Sequence, residues 1–170
     1  ISGDPSDTSS LLHTVRDVGA VTHALDGLEA GAVLGLRGPF GAGWPLDEAR
    51  GRDVVIVAGG LGLAPLRPAL HGLLGQRERF GSIALLYGAR SPDDILFQRE
   101  LEGWRQRLDL NVEVTVDHAP ATWRGHVGVV TTLIARAGFD APDTMAFVCG
   151  PEVMMRFAIK ALEDAGVERE

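Results

Sequence analysis

Val54-Val55-Ile56-Val57-Ala58-Gly59-Gly60-Leu61-Gly62-Leu63-Ala64-Pro65 is the stretch that decides the fold. Its first five residues are continuously apolar, as expected of a parallel strand covered on both faces. Three glycines come directly after, and they let the backbone turn tightly and approach a ligand with no Cβ in the way. Leu66, Ala69, Leu70, Leu73 and Leu74 then recur at helical spacing, and Pro65 suits a first helical turn, where its missing N–H is no loss. A strand that passes through glycine into a helix N-terminus offers free N–H groups and a positive dipole end to a pyrophosphate. The functional reading is nucleotide binding, and the structural alternative is a plain glycine turn.

Downstream, the strand–turn–helix unit repeats. Ser82 to Tyr87 reads as a strand and Ile95 to Leu108 as a helix. Val112 to Val116, a helix from Val130 to Ala137, and the strand Met145 to Cys149 follow. A last helix from Glu152 to Ala165 carries Val153, Phe157, Ala161 and Leu162 on one stripe. Alternation of this kind predicts an α/β domain over residues 52–170, a doubly wound parallel sheet with right-handed crossovers. Upstream, Leu11 to Val18 alternates like a half-buried strand, Ala32 to Leu36 is a second short β-like run, and residues 38–45 form a dense cluster of glycine and proline. Residues 1–45 are therefore expected to be a separate antiparallel β unit.

Composition narrows the function classes. The chain has 170 residues, 45% of them hydrophobic, enough for a buried core, and its 22 glycines follow no collagen-like period. A formal charge of −7 argues against nucleic acid or an anionic membrane as partner. The lone Cys149 excludes an internal disulfide framework and any four-thiolate iron–sulfur or zinc site within these residues, and it makes a reducing, cytoplasmic setting the default expectation. No apolar run approaches the roughly 18 residues that span a bilayer. The chain begins at Ile1 without a methionine and reads as a processed product or a fragment.

The glycine turn departs from the dehydrogenase fingerprint G-x-G-x-x-G, because Pro65 stands where the third glycine would be. The second strand ends in Tyr87-Gly88-Ala89-Arg90, without the acidic residue that would hold a ribose 2′-hydroxyl. A second strand-to-helix junction, Phe147-Val148-Cys149-Gly150-Pro151-Glu152, is built like the first, and in a doubly wound sheet the two would face each other across the crevice where the winding reverses. Cys149 reads equally as the crevice floor or as a small buried filler; no histidine base is placed to make it a nucleophile. The five histidines show no metal-ligand spacing, so no metal is proposed. Trp123 to Gly128 reads as a helix-entry turn, and the charged run Gln98 to Arg107 as a solvated helix face.

These motifs together, Gly59-Gly60-Leu61-Gly62-Leu63-Ala64-Pro65, Tyr87-Gly88-Ala89-Arg90 with Phe97 and Glu100-Leu101 beyond it, and Cys149-Gly150-Pro151 with Met154, resemble the pyridine-nucleotide domain of the ferredoxin–NADP reductase superfamily. Within it the chain looks most like the electron-transfer subunits of sulfhydrogenase, anaerobic sulfite reductase and dihydroorotate dehydrogenase. The resemblance extends upstream, where Gly19-Ala20-Val21-Thr22 looks like the turn that cradles the flavin pyrophosphate and Arg37 to Gly41 like the loop closing the flavin barrel.

The resemblance implies a flavin-dependent oxidoreductase passing electrons between NAD(P)H and an iron–sulfur partner through FAD, with no side chain acting as acid or base. Gly59, Gly60, Gly62 and Leu63 would lie against the NAD(P) pyrophosphate, and Gly88, Ala89, Arg90 and Ser91 around the adenosine ribose. Cys149, Gly150 and Pro151 would border the nicotinamide, and Gly19, Val21 and Thr22 the flavin. Arg90 and Ser91 could bind a 2′-phosphate that Asp93 and Asp94 would repel, which tilts the expectation to NAD(H). The family's Arg-x-Tyr-Ser flavin motif is absent, so weak FAD binding by residues 1–170 is expected, and a [2Fe–2S] segment is expected only in a missing C-terminal part. Residues 1–45 would then be the C-terminal part of the flavin barrel. The rival readings are a noncatalytic NAD(P)-binding or regulatory module and the reductase component of an oxygenase.

Overall fold

The computed structural model describes residues 1–168. Five strands, β1 (Asp53–Gly59), β2 (Ile83–Ala89), β3 (Asn111–Val116), β4 (His126–Val127) and β5 (Thr144–Cys149), form one sheet in the order β4-β3-β2-β1-β5. Every pairing is parallel: Val54 lies opposite Ile83 on one side and Met145 on the other, Ala84 opposite Asn111, and Thr115 opposite His126. The winding runs outward from β1 through β2 and β3, then returns to place β5 on the other side of β1. The reversal puts the switch point between the carboxyl ends of β1 and β5.

The continuous apolar run of β1 has two destinations. Val54, Ile56 and Ala58 face one core with Leu63, Leu66, Leu70 and Leu73 of helix α2 (Leu63–Gly75) and with Leu101 and Trp104 of helix α3 (Gln98–Arg105). Val55 and Val57 face the other, with Val130, Leu133 and Ile134 and with Ala158 and Leu162 of helix α4 (Glu152–Asp164). Each such side chain is withdrawn from water, and full burial of a valine or leucine contributes about 1.5–3 kcal/mol. This places apolar layers on both faces of the central strand, as the sequence expectation required.

Four expectations are corrected by the structure. Among the described residues there is no strand before Asp53; segments 11–18 and 32–36 are extended without a ladder, and their Leu11, Val15, Val18, Val33 and Leu36 are exposed. Alternation fits a strand, but a strand exists only beside a partner. Instead this region holds one short helix, α1 (Ala20–Asp26). Second, α3 begins at Gln98, not Ile95, because Pro92–Asp94 is a 3-10 turn and Phe97 takes a left-handed φ of 52°. Third, residues 130–136 wind as a 3-10 helix, with Thr132 returning its hydroxyl to the Val129 carbonyl at 2.7 Å. Finally, α4 buries Ala158 and Leu162, whereas Val153 and Phe157 stand 64% and 63% exposed. The helix shows its apolar stripe to two surroundings, core below and open cleft above.

The segment between the two expected units packs on the α/β body. Trp44 donates its indole N–H to the Pro65 carbonyl at 2.8 Å and leans on Phe147, ring centres 5.4 Å apart. Ala49 is fully buried, and a terminal methyl of Leu46 lies over Gly72 of α2, 2.6 Å from where a Cβ there would stand. Farther upstream, Arg67 of α2 donates two parallel bonds to Glu100 of α3 at 2.8 and 2.9 Å and a third to the Ser2 carbonyl, with its guanidinium over the Phe97 ring. Ser2 in turn hydrogen-bonds the Leu12 carbonyl through its N–H at 2.8 Å. One half-buried arginine thus ties the amino-terminal strap to two helices.

Candidate nucleotide site

At the switch point the two glycine junctions touch. A Cβ on Gly62 would overlap the Cys149 carbonyl and come within 2.8 Å of the Gly150 Cα. One on Gly59 would come within 2.6 Å of the Met154 Cε, and one on Gly150 would collide with the same methyl. Gly60 has a φ of +52°, a conformation that favours glycine. The crevice therefore has a floor of bare backbone, as the sequence expectation of facing junctions required.

Above this floor opens a cavity of about 710 Å³. Gly59, Gly60 and Pro151 line it from the carboxyl ends of β1 and β5, and Gly88, Ala89 and Arg90 from the carboxyl end of the neighbouring β2, where Gly88 pairs with Gly59. These six were all expected at the site. The remaining expected residues do not line this cavity. Gly62 and Leu63 are buried beneath it, the glycine for close approach and the leucine as core. Gly150 lies under the Met154 methyl, and Ser91 turns its hydroxyl to the Asp94 carboxylate at 2.6 Å. Cys149 is half-buried against the α2-side core, and burial pushes its thiol pKa up. The protonated form is thereby favoured, which suits packing and not nucleophilic attack.

Sequence reasoning missed several walls of the cavity. Val153, Met154 and Phe157 of α4 and Val129 to Thr131 supply an apolar side, and Arg16 reaches in from the amino-terminal segment. Asp117 completes the Arg90 end together with Asp94. Its position is set by the sheet, because the β2–β3 ladder continues past the last strand pair: the Asp117 N–H reaches the Ala89 carbonyl at 3.0 Å and the His118 N–H the Arg90 carbonyl at 3.2 Å. The exposed Val153 and Phe157 were legible only as a helix stripe, with no signal that they face a cleft.

Gly19, Val21 and Thr22 lie elsewhere. Gly19 precedes the first helix, and the Thr22 hydroxyl is occupied at that helix start, accepting the Val18 and Gly19 N–H groups and donating to the Gly19 carbonyl, each at 3.0 Å. Thr22 also borders a hollow of about 600 Å³ lined by residues such as His13, Leu25 and Leu36, with no Phe, Tyr or Trp against which a flavin ring could stack. These residues offer a glycine and a helix start.

An elongated ligand with a central pyrophosphate and two ring systems fits the larger cavity. Bare backbone at the floor allows close approach of the anion, the apolar wall suits a flat ring, and the mixed charges of Arg90, Asp94 and Asp117 suit a sugar with hydroxyls. Among the described residues no cluster of acidic, histidine or cysteine side chains could hold a metal ion.

Comparison with known proteins agrees with this geometry. The chain is 34% identical over 165 residues to the sulfhydrogenase 2 subunit gamma of Pyrococcus furiosus, covering 90% of this chain and 57% of that protein. It is 36% identical over 156 residues to a probable dihydroorotate dehydrogenase B (NAD(+)) electron transfer subunit of Methanocella arvoryzae, covering 91% and 54%. The chain thus spans a little over half the length of these relatives. Among solved structures, the cytochrome b5 reductase domain of Ulva prolifera nitrate reductase superposes with a TM-score of 0.74 at 26% identity, over 89% of this chain and 61% of that one. The sequence model of the oxidoreductase NAD-binding domain matches residues 56–160, from the middle of β1 to the last turns of α4, and the chain belongs to that family.

Proposed function

We propose that residues 52–168 bind NAD(P)H within a flavin-dependent reductase that passes electrons between the nicotinamide and an iron–sulfur partner. The observation that carries this reading is the cavity lined by Gly59 and Gly60 above two glycine junctions whose close contact leaves no room for a Cβ on Gly62. The names of the relatives, a sulfhydrogenase subunit gamma and a dihydroorotate dehydrogenase B (NAD(+)) electron transfer subunit, support electron transfer as the role. When bound, the nicotinamide would supply hydride chemistry and FAD the exchange between two-electron and one-electron chemistry. The chain's own residues bind and orient: Gly59 and Gly60 admit the pyrophosphate, Pro151, Val153 and Phe157 wall the nicotinamide end, and Gly88, Ala89 and Arg90 hold the adenosine end. Ser91 acts by fixing Asp94, while Gly62, Leu63, Cys149 and Gly150 hold the floor in place.

Residues 1–45 are read as the last part of a flavin barrel, with Gly19, Val21 and Thr22 beside the FAD pyrophosphate once the rest of that barrel, from a longer polypeptide, pairs with the extended segments. A [2Fe–2S] cluster and the partner subunit belong to that larger assembly, and its setting is read as cytoplasmic.

Around the adenosine end, the Asp94 and Asp117 carboxylates oppose a 2′-phosphate that Arg90 and Arg16 would attract, and we read the two carboxylates as tipping the preference to NADH. Titration with NADH, followed by tryptophan quenching, is expected to saturate, and NADPH to bind more weakly. Asp117→Asn removes one carboxylate of that end and is expected to narrow the NADH over NADPH preference by about tenfold, the scale of one removed charge repulsion. Failure of the unsubstituted chain to bind either dinucleotide sinks the whole reading, whereas an unchanged preference in Asp117→Asn sinks only the role of that carboxylate.

A further inference from the structure

We propose that Tyr87, through its phenol, is the positioning residue that keeps the pyrophosphate turn in its anion-receiving shape and couples it to the loop at the adenosine end. The proposal rests on the nucleotide reading above and adds a residue that does not itself line the cavity. Tyr87 sits in the β2 strand with its side chain fully buried. Its hydroxyl donates to the Gly60 carbonyl at 3.3 Å and accepts the Leu96 N–H at 3.2 Å. One oxygen therefore joins the glycine turn after β1 to the segment that runs from Asp94 into α3.

The choice of carbonyl gives the contact its meaning. Gly60 is the left-handed residue of the turn, so its peptide is rotated relative to an ordinary helix start. Its carbonyl receives both the phenol and the Leu63 N–H, and is thereby directed at a buried side chain and into the start of α2. A carbonyl oxygen carries partial negative charge and repels a pyrophosphate; held inward, it leaves the turn to present its N–H groups. Phenylalanine fills nearly the same volume as tyrosine, so packing alone does not call for a hydroxyl here. Without it, the Gly60 carbonyl keeps one partner and the Leu96 N–H loses its own, and both ends of the cavity gain freedom. Burial favours the neutral phenol, which keeps the donated proton in place across the physiological range.

The test uses Tyr87→Phe with two probes, ADP-ribose, which carries the pyrophosphate, and adenosine, which does not. The expected result is ADP-ribose binding weakened about tenfold with adenosine binding changed less than twofold, at a temperature well below the variant's unfolding midpoint. Equal affinity of variant and parent for ADP-ribose overturns the proposal even if the midpoint falls, because a purely structural hydroxyl lowers stability and leaves affinity alone. Equal losses for both probes overturn it too, as general damage to the cleft. Tyr87 is the only tyrosine of the chain, which supplies a second measurement on the unsubstituted protein should the variant not fold. With tyrosine labelled at the ring carbon bearing oxygen, its single NMR signal is expected to move when ADP-ribose is added and to stay with adenosine; a signal indifferent to ADP-ribose that nonetheless binds overturns the coupling. Absence of any ADP-ribose binding by the parent is a failure of the nucleotide reading itself and is told apart from all of these.

Discussion

Gly62→Ala is expected to destabilise the chain by about 3 kcal/mol or more, the upper range of overpacking in a closed core, and to abolish NADH binding. The added methyl lands on the Cys149 carbonyl and near the Gly150 Cα. Both are backbone atoms at the end of a central parallel pairing, so neither can rotate away as a side-chain tip does. Relief requires β5 or the start of α2 to shift, which separates the two junctions that make the cavity floor. Gly62 has an ordinary φ of −60°, so alanine meets no backbone strain there and the whole effect is steric. Urea unfolding checks the stability and NADH titration the binding. An alanine variant with parental midpoint and affinity would show that the floor is not closed by this contact. Gly75→Ala in the same helix is the control, because its Cβ meets nothing within 4 Å.

The second large effect is expected from Arg67→Ala. The arginine side chain is 11% exposed and Glu100 is 36% exposed, so the pair is screened on one side and the loss is set at about 2 kcal/mol, below the 3–5 kcal/mol typical of breaking a fully buried pair. The substitution removes both bonds to Glu100, the bond to the Ser2 carbonyl and the cover over Phe97. It also leaves Glu100 beside Asp4 with His71 between them, each carboxylate 3.6 Å from the imidazole. Beyond the fall in stability, residues 3–14 should become the first site of protease cleavage. A variant that unfolds earlier but keeps that segment resistant would assign the tie to Ser2 and Leu12 alone.

Much of the α/β body was legible because its signals are local. The run Val54 to Ala58 is apolar at every position, and its two destinations follow from parallel pairing. The facing glycine junctions were legible too, since the switch point follows from strand order. What escaped were features decided by distant residues. His126 and Val127 make a strand of two residues only because β3 offers its edge, and no periodicity exists in so short a piece. Asp117 enters the cavity through ladder bonds to Ala89 and Arg90, and Arg16 arrives from outside the β–α repeat altogether. The left-handed turn at Phe97, which delays α3, is held by packing under Arg67 and leaves no mark on a sequence pattern. The extended segments 11–18 and 32–36 show the converse, a strand-like pattern with no ladder to join.

The position of β1 also governs the order in which the molecule can assemble. Val54 finds Ile83 within one strand–helix–strand unit, but its other neighbour, Met145, comes only after every remaining element of the sheet. Closing a loop of that length is entropically slower than closing the short one. Refolding should therefore pass through a half-sheet with one side of Val54–Ala58 unpaired, and β5 should dock late. Since Gly150 and Met154 reach the floor of the cleft only with β5 and α4, dinucleotide binding should recover after the bulk of the helical signal in a stopped-flow experiment, and simultaneous recovery would argue against this order. On that order the ligand site is the last part of the molecule to form, and the unpaired edge of β1 is expected to stay open to other chains for as long as that step takes.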